Sequence, residues 1–381
     1  MTTNWDSNDM TNKQNRILIA AGGTGGHFYP AMVLAKELAG RNVKVLFAVK
    51  INDSTRARLK TDNFEFREIP CAPFFGQSPV KIIFGLAANF RGVCRAMSVL
   101  RDFKPGCVAS FGAYVSVPVV LAAFLMRIPV VLHEQNIVPG WANRFSAFFA
   151  KKVAVSFLGS EKYFHGKAYI AGNLVRSEIF SADRQKALMT LGLRGDRKTV
   201  LVFGGSAGAK SINSCMGNAL GGLSSLRDSV QFIHITGSAA ESEMLRPQYV
   251  ESGFHAVVLD YCNEMENCYA CSDLAVCRSG ATTVSELIVT KTPAILIPFP
   301  YAINDHQKKN ADILENMGSA VTILESKMAA ELVLRLKEIV SSDEMLAGMR
   351  RSYDKFPVSL KDAPAKLADT VLSFANEHEE S

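Results

Sequence analysis

Short apolar runs alternate with helix-forming stretches along most of this chain. The runs predict strands at Ile17–Ala21, Val43–Val49, Cys107–Ser110, Val130–His133, Thr199–Phe203, Gln231–Thr236, Ala256–Leu259, Asp273–Cys277 and Ala294–Pro298. Helices are expected between them, at Pro30–Ala39, at Ala87–Arg101 and from about Ser211. Nearly continuous apolar strands separated by helices are typical of parallel sheets covered on both faces. The pattern therefore predicts an α/β protein built from doubly wound parallel sheets.

A glycine-rich turn follows a predicted strand in each half of the chain. Residues 22–26 read GGTGG, and residues 204–208 read GGSAG. Glycine lets the backbone approach a ligand closely, and the N-terminus of the next helix offers unpaired N–H groups to an anion. The repeat predicts two similar Rossmann-like domains that face each other across a cleft.

The boundary between these domains is expected near Ala171–Arg176. We predict a disordered tail at 1–15, a first domain at 16–172 and a second domain at 173–357. A final helix is predicted at 362–376, with Asp362 as its N-cap and three apolar residues on one face, Leu367, Val371 and Phe374. This helix packs either on its own domain or back on the first.

Composition excludes several classes of protein. The 48% hydrophobic and 20% charged residues are ordinary for a globular protein, and a net charge of +6 does not argue for nucleic acid. The N-terminal residues lack a secretion signal, and the longest apolar run, Val117–Met126, is too short to span a bilayer, so we expect a cytoplasmic protein. The eight cysteines, including Cys268 and Cys271 of a CxxC, are expected to be reduced thiols rather than zinc ligands.

Binding of a dinucleotide for hydride transfer is not supported. The G-x-G-x-x-G fingerprint fails because Phe28 stands at its sixth position when it is counted from Gly23. The acid that would hold a ribose at the end of the second strand is also absent, since Lys50 stands there.

Four polar segments follow predicted strands and therefore belong at the ligand-binding edge of the sheets. His27 comes directly after the first glycine turn, where the helix dipole keeps an imidazole neutral and able to accept a proton. The alternative is a histidine that only caps or hydrogen-bonds. The other segments are HEQN at 133–136, RSGATTVSE at 278–286 and DHQKKNA at 305–311. HEQN could merely satisfy backbone groups. Together the segments suit a nucleotide sugar, whose ribose hydroxyls Glu286 could reach.

These segments, with YVSVP at 114–118, GNLVR at 172–176 and GGSAGA at 204–209, resemble in order the motifs of the MurG family. Its members are N-acetylglucosaminyltransferases that convert lipid I to lipid II in bacterial peptidoglycan synthesis. The resemblance runs from about Arg16 into the 310s. It implies a GT-B fold in which the first domain binds the acceptor and the second binds the donor, UDP-N-acetylglucosamine (UDP-GlcNAc).

The resemblance also implies the donor contacts. They are Thr24, Gly25, Gly26 and Asn136 at the sugar, Arg176 and Ser206 near the diphosphate, the backbone near Cys262 at the uracil, Ala281, Thr282 and Thr283 at phosphate, Glu286 at the ribose and Gln307 at the sugar hydroxyls. Three positions depart from the family pattern, at Val117, Leu174 and Ala207. The alanine casts doubt on one side-chain contact in the second glycine turn.

The implied reaction is a one-step inverting transfer, which needs a base for the incoming hydroxyl and stabilisation of the departing diphosphate. His27 is the first candidate for the base and Glu134 the second. Backbone N–H groups of the turns and helix tips would stabilise the leaving group. Because no Asp-x-Asp signature is found, we expect neither a metal nor a cofactor.

A lipid-linked acceptor requires contact with a membrane. The basic and apolar stretch 81–104 is the candidate surface, and its proposed contacts are Ile83, Phe84, Phe90, Arg91 and Arg95. The alternative is an ordinary core-packed helix with a solvated basic edge. We expect peripheral binding at the cytoplasmic face of the bacterial inner membrane, with cell-wall or division proteins as candidate partners and no nucleic acid.

Two other functions stay open at this point. The chain could be another GT-B enzyme that uses a UDP-sugar, either a transferase with a soluble acceptor or a UDP-GlcNAc epimerase. It could also be a non-catalytic scaffold for cell-wall assembly.

Overall fold

The computed structural model describes residues 15–23, 25–72, 79–205 and 208–380. The chain forms two compact units, one made of residues 1–174 and 358–381 and the other of residues 175–357. The predicted disordered tail at 1–15 lies, apart from its last residue, outside the described residues.

In the first unit, the described residues form a seven-stranded sheet in which every pair of neighbouring strands is parallel. Its strand order is β3-β2-β1-β4-β5-β6-β7. The strands are β1 (Arg16–Ala21), β2 (Lys44–Val49), β3 (Glu65–Glu68), β4 (Cys107–Ser110), β5 (Val130–Glu134), β6 (Lys152–Val155) and β7 (Ala168–Ile170). The sequence pattern predicted four of these and missed β3, β6 and β7, which lie towards the two edges of the sheet.

Both faces of this sheet are buried, as its apolar strands predict. Ile17 and Ile19 of β1 point into one hydrophobic cluster, while Leu18 and Ala20 point into another on the opposite face. Each successive side chain of the strand therefore enters a core, which is the arrangement expected of a parallel sheet covered by helices.

The helices of this unit differ in two ways from the predicted ones. They are α1 (Gly25–Gly40), α2 (Asp53–Thr61), α3 (Pro79–Phe103), α4 (Ser116–Leu125) and α5 (Trp141–Ser146). Helix α1 begins at the glycine turn and not at Pro30, which is the sixth residue of the helix and lies inside it. The predicted helix Ala87–Arg101 is the central part of the longer α3.

The longest apolar run of the sequence forms α4, whose residues Val117–Val120 are buried in the unit. Among the described helices, we find none with the combination of length and hydropathy that a membrane crossing requires.

The second unit contains a six-stranded parallel sheet in the order β10-β9-β8-β11-β12-β13. Its strands are β8 (Lys198–Phe203), β9 (Val230–Ile235), β10 (Ala256–Leu259), β11 (Leu274–Cys277), β12 (Ala294–Leu296) and β13 (Ala320–Thr322). Only β13 was missed from sequence. The helices are α6 (Ser177–Ser181), α7 (Arg184–Leu191), α8 (Lys210–Ala219), α9 (Ala239–Glu251), α10 (Met265–Cys271), α11 (Ala281–Thr290), α12 (His306–Met317), α13 (Met328–Val340) and α14 (Asp343–Ser352).

The last helix, α15 (Ala363–Glu380), belongs to the first unit although the second unit precedes it in the chain. Leu367, Ala368, Val371 and Ala375 are buried in the cluster that contains Ile17 of β1. Hydrogen bonding strengthens this attachment, since Tyr169 Oη donates to Thr370 Oγ1 at 2.7 Å.

Strand order places a switch point in each sheet. In the first unit, strands are added in one direction from β1 to β3 and in the opposite direction from β4 onwards, so the switch point lies between β1 and β4. In the second unit it lies between β8 and β11. Ligands of open α/β sheets bind beyond the carboxyl ends of the strands at such points. Both glycine turns, which follow β1 and β8, therefore lie at the expected ligand-binding positions.

We expect Leu367→Ala to lower the free energy of unfolding of the first unit by about 2–5 kcal/mol, because it empties a buried leucine site. Leu367 is 1% exposed, whereas the control residue Leu334 of α13 is 64% exposed. Urea unfolding of the full chain, followed by circular dichroism, measures the shift. Equal small shifts for Leu367→Ala and Leu334→Ala would contradict the role of α15 in this core.

Candidate active site

The first glycine turn is tightly packed on one side and open on the other. A Cβ atom at Gly22 would lie 2.4 Å from Ala113 Cβ, and one at Gly23 would lie 3.0 Å from Asn52 Nδ2. At Gly26, the second residue of α1, a Cβ would meet no atom of the described chain within 4 Å. Gly22 and Gly23 therefore serve packing, while Gly26 leaves room for a ligand near the backbone. Thr24 lies outside the described residues.

His27 is the third residue of α1, and its ring is fixed by two acceptors. Nδ1 lies 2.8 Å from the backbone oxygen of Phe111 and 2.8 Å from Oε1 of Gln135. Both partners can only accept, so Nδ1 carries the proton and donates, which leaves the lone pair on Nε2. Burial lowers the pKa of His27, and the two hydrogen bonds only partly oppose this shift. The imidazole is therefore a neutral base near neutral pH.

Gln135 connects His27 to a second histidine. Its Nε2 donates to Nδ1 of His133 at 3.1 Å and to the His133 carbonyl at 3.0 Å. His133 Nε2 in turn donates to the carbonyl of Gly172 at 3.1 Å. Burial lowers the pKa of His133 to about 4, so this ring stays neutral and accepts from Gln135. The amide orientation of Gln135 thus fixes the tautomer of His27, a role that sequence reasoning missed.

Glu134 is 1% exposed, and amide groups surround its carboxylate. Oε1 accepts from the N–H of Asn136 at 2.8 Å, and Oε2 accepts from Nδ2 of Asn143 at 2.8 Å. Burial raises the pKa of Glu134, although these hydrogen bonds oppose the shift. The carboxylate of Glu134 therefore positions the turn after β5. Because both of its oxygens accept from amides, the geometry favours His27 over Glu134 as the base.

The HEQN segment is more buried than expected. His133, Glu134 and Gln135 are each 1% exposed, whereas Asn136 is half-buried. The first three side chains therefore satisfy backbone and side-chain groups around the turn, and Asn136 is the member of the segment that a ligand can reach.

In the second unit, the glycine turn after β8 needs glycine for steric reasons. A Cβ at Gly204 would lie 2.2 Å from the backbone nitrogen of Ala209, and one at Gly208 would lie 2.3 Å from the carbonyl oxygen of Thr236. Gly208 also has a φ of 70°, which disfavours other residues. Ser206 lies outside the described residues.

The N-terminus of α11 has the properties of an anion site. Gly280 is its N-cap and has no side chain with which to cap the N–H groups of Ala281, Thr282 and Thr283. The hydroxyl oxygen of Thr282 is buried and lacks a hydrogen-bond partner within the described part of the chain. Burying a hydroxyl without a hydrogen bond costs free energy, so the Thr282 hydroxyl favours the binding of a polar ligand at this helix tip.

Glu286, on the same helix, is 7% exposed and lies between a cation and a phenol. Oε1 is 3.3 Å from Arg176 Nη2, and Oε2 accepts from Tyr269 Oη at 3.0 Å. Burial raises the pKa of Glu286, and the attraction of Arg176 opposes this shift. Arg176, which is expected near the diphosphate, forms this ion pair with the expected ribose ligand and also donates to the carbonyl of Asn263 at 3.4 Å.

Two hydrogen bonds join the loop before α11 to the start of α12. Ser279 Oγ donates to the carbonyl of Gln307 at 2.8 Å, and Asn310 Nδ2 donates to the carbonyl of Ser279 at 3.2 Å. Gln307 Oε1 accepts from the N–H of Phe299 at 2.9 Å. These contacts bring the predicted phosphate and sugar ligands of the second unit together.

Arg278 organises the same region, although sequence reasoning gave it no role. It is 7% exposed, and its Nη1 donates to the carbonyls of Ile297 and Pro298 at 3.1 and 3.2 Å. Its Nη2 donates to Ser211 Oγ at 2.9 Å and pairs with the Glu325 carboxylate. The guanidinium therefore holds the ends of β11 and β12 against the first turn of α8.

The candidate membrane surface lies on α3 and is exposed. Phe84 and Phe90 are 71% and 70% exposed, and Arg91 and Arg95 are exposed as well. The N-terminal half of α3 therefore exposes its aromatic side chains, whereas Val99, Leu100 and Phe103 of its C-terminal half are buried in the core. The side chain of Ile83 is not among the described ones. The first unit also exposes Phe124, Leu125 and Phe148, which the sequence analysis did not single out.

Comparison with known proteins gives the same family as the motifs. Residues 17–155 match the glycosyltransferase family 28 N-terminal domain, and residues 199–363 match its C-terminal domain. Two curated relatives are both named UDP-N-acetylglucosamine–N-acetylmuramyl-(pentapeptide) pyrophosphoryl-undecaprenol N-acetylglucosamine transferase. The protein from Halothermothrix orenii is 38% identical over 88% of this chain and 93% of its own length. The protein from Protochlamydia amoebophila is 37% identical over 84% of this chain and 86% of its own length.

A solved structure extends the similarity to the fold. The crystal structure of Acinetobacter baumannii MurG has a TM-score of 0.73 and 27% identity, and the match covers 94% of this chain and 99% of that one. The predicted GT-B fold, with two Rossmann-like parallel sheets, is confirmed. The chain therefore belongs to glycosyltransferase family 28.

Proposed function

We propose that this chain transfers N-acetylglucosamine from UDP-GlcNAc to the 4-hydroxyl of the N-acetylmuramic acid in lipid I, giving lipid II for peptidoglycan synthesis. Its relatives of 37–38% identity carry that activity in their names. The observation that carries the proposal is the fixed tautomer of His27, because a scaffold that only binds a nucleotide sugar has no use for an oriented neutral base.

In the proposed reaction, the acceptor hydroxyl attacks the anomeric carbon of the donor while its proton passes to Nε2 of His27. The bond from the anomeric carbon to the diphosphate breaks, and UDP departs with both electrons. Attack from the opposite side converts the α-linked donor into a β-1,4-linked product. Gly25 and Gly26 lie at the start of the same helix as His27, and the open space at Gly26 would accommodate the sugar.

The second unit would hold the donor. The N–H groups of Ala281 and Thr283 and the unsatisfied Thr282 hydroxyl suit the diphosphate, whose charge the helix dipole also favours. Glu286 has lone pairs left to accept from ribose hydroxyls, since its described partners occupy one position on each oxygen. Arg176 orients this carboxylate, and the backbone at Cys262 faces the base in this proposal. Gln307 and Asn136 would bind the sugar, with Thr24 and Ser206 contributing from the two glycine turns.

A lipid-linked acceptor places the reaction at a membrane surface. We assign Ile83, Phe84, Phe90, Arg91 and Arg95 of α3 to peripheral contact with anionic lipid at the cytoplasmic face. Exposed aromatic side chains anchor shallowly in the headgroup region, and nearby arginines attract anionic lipid. The exposure of both phenylalanines supports this assignment.

The test of the proposed function is a transfer assay with radiolabelled UDP-GlcNAc and a lipid I analogue. We expect a labelled disaccharide lipid and one UDP for each transfer. Turnover that needs no lipid acceptor would instead indicate an epimerase or a transferase with a soluble acceptor. Binding of UDP-GlcNAc without any turnover would indicate the scaffold.

We expect His27→Ala to lower turnover by roughly 10²–10⁴-fold, because a positioned general base contributes about that factor. Donor affinity, measured by calorimetry with UDP, should stay close to that of the unchanged protein. His165→Ala is the control, since His165 is an exposed histidine of the same unit. Near-normal turnover of the His27 variant would reject His27 as the base.

Gln135→Glu is expected to move the acid limb of the pH profile of kcat/KM upwards by about one pH unit. A carboxylate beside Nδ1–H stabilises the imidazolium, so the pKa of His27 rises and a higher pH is needed to keep the base neutral. Gln248→Glu introduces the same charge on the exposed surface of the second unit and should leave the limb in place. An unmoved limb in Gln135→Glu would show that this side chain does not control the titrating base.

A variant with Phe84→Ser, Phe90→Ser, Arg91→Gln and Arg95→Gln should bind vesicles of phosphatidylglycerol at least about thirtyfold more weakly. Two basic residues alone contribute about 1 kcal/mol each near an anionic surface. Sedimentation with the vesicles measures the bound fraction. The control is Leu334→Ser with Arg335→Gln, an exposed pair on α13. Equal binding by both variants would exclude α3 as the membrane contact.

A further inference from the structure

Two cysteines of the second unit lie in contact, and the proposed reaction uses neither thiol. Sγ of Cys262 is 3.4 Å from Sγ of Cys268. Cys262 is half-buried in the loop between β10 and α10, and Cys268 is buried on α10. We propose that Cys262 and Cys268 form a reversible dithiol–disulfide pair, a redox modification site that a hydroperoxide oxidises.

The geometry requires only a small movement. A disulfide holds its sulfurs about 2.05 Å apart, so closure from 3.4 Å needs about 1.4 Å of approach. Cys262 lies in irregular backbone, which can supply this shift, while Cys268 is held in a helix by its packing. Cys271, one helical turn beyond Cys268, is the competing partner, but it shares the rigid helix with Cys268.

The order of reaction follows from the environment of each sulfur. The hydrogen bond from Cys268 lowers the pKa of the Cys262 thiol, although burial opposes this effect. The same interaction and burial raise the pKa of Cys268, so that sulfur keeps its proton and acts as the donor. Cys262 is also the more accessible of the two. Thiolate character and access determine which cysteine is oxidised first, and both favour Cys262.

Oxidation of the pair proceeds in two steps. The Cys262 thiolate attacks one oxygen of hydrogen peroxide, which gives a sulfenic acid and releases hydroxide. The Cys268 sulfur then attacks the sulfenic sulfur, the S–S bond forms, and the hydroxyl group departs with the thiol proton as water. Two thiols are oxidised and one peroxide is reduced to two water molecules, once the hydroxide has taken up a proton. A thiol reductant reverses the change by exchange.

The pair adjoins the groups that hold Glu286. Asn263, next to Cys262, accepts from Arg176, and Tyr269, next to Cys268, donates to Glu286. Closing the disulfide draws the loop towards α10 and so displaces the backbone at Cys262 and Asn263. This consequence rests on the proposed function, in which that loop holds the base of UDP. The oxidised chain is then expected to bind UDP about tenfold more weakly, the equivalent of about one hydrogen bond or 1.4 kcal/mol.

The disulfide itself is tested without reference to activity. The intact chain is treated with hydrogen peroxide, alkylated, and digested with a glutamate-specific protease, which cuts after Glu264 and Glu266 and separates the two cysteines. Mass spectrometry should find fragment 252–264 joined to fragment 267–286 through Cys268. Cys262→Ser should abolish the link, and Cys268→Ala should abolish it as well. Cys94→Ser, at an exposed cysteine of the first unit, should leave it unchanged.

A link between Cys268 and Cys271, or only sulfinic acid at Cys262, would overturn the proposal. Calorimetry with UDP then compares the oxidised chain, the same sample after dithiothreitol, and the untreated chain. We expect weaker binding in the first sample only. An identified link with unchanged affinity would overturn the effect on the donor and leave the redox pair standing. A reduced chain that does not bind UDP at all would instead refute the proposed function.

Discussion

The wholly parallel arrangement of both sheets is the constraint on which the rest of this structure depends. Parallel strands all end at the same edge, so segments that are far apart in sequence meet there. In the first unit, this edge brings together His27 after β1, Phe111 after β4 and Gln135 after β5. In the second, it brings the loop after β11 against the start of α12, which follows β12. The apolar strands that form the two cores therefore also determine where the polar chemistry lies.

Much of the fold followed from sequence because central parallel strands are apolar throughout. The strands that escaped prediction are short, and β3, with the sequence EFRE, is mostly polar because it lies at an edge of its sheet. The start of α1 was predicted too late, at Pro30, whereas the helix begins at the glycine turn and contains the proline. The family motifs predicted the candidate site as a set of segments, yet they gave no partner for any side chain. The link from His27 to Gln135 spans 108 residues, and no local pattern encodes it.

Burial acts in opposite directions on the two candidate bases. It lowers the pKa of a histidine, which keeps the imidazole ready to accept a proton, and it raises that of a carboxylic acid. Gln135 adds direction to the histidine, because its oxygen and nitrogen face different rings and each ring is thereby restricted to one tautomer. Glu134 instead uses its oxygens to hold the amides of Asn136 and Asn143. Adjacent polar residues of one short segment thus take separate tasks that residue type alone does not reveal.

The position of α15 has a consequence for how the chain is made. Ribosomes release a protein from its N-terminus, so residues 175–357 emerge between the two portions of the first unit. Until the final stretch appears, the apolar surface that later receives Leu367 and Val371 stays uncovered, while the second unit already has every strand and helix it requires. The second unit, which is one continuous segment, is therefore able to fold first, and the first unit completes its interior only after α15 has been made.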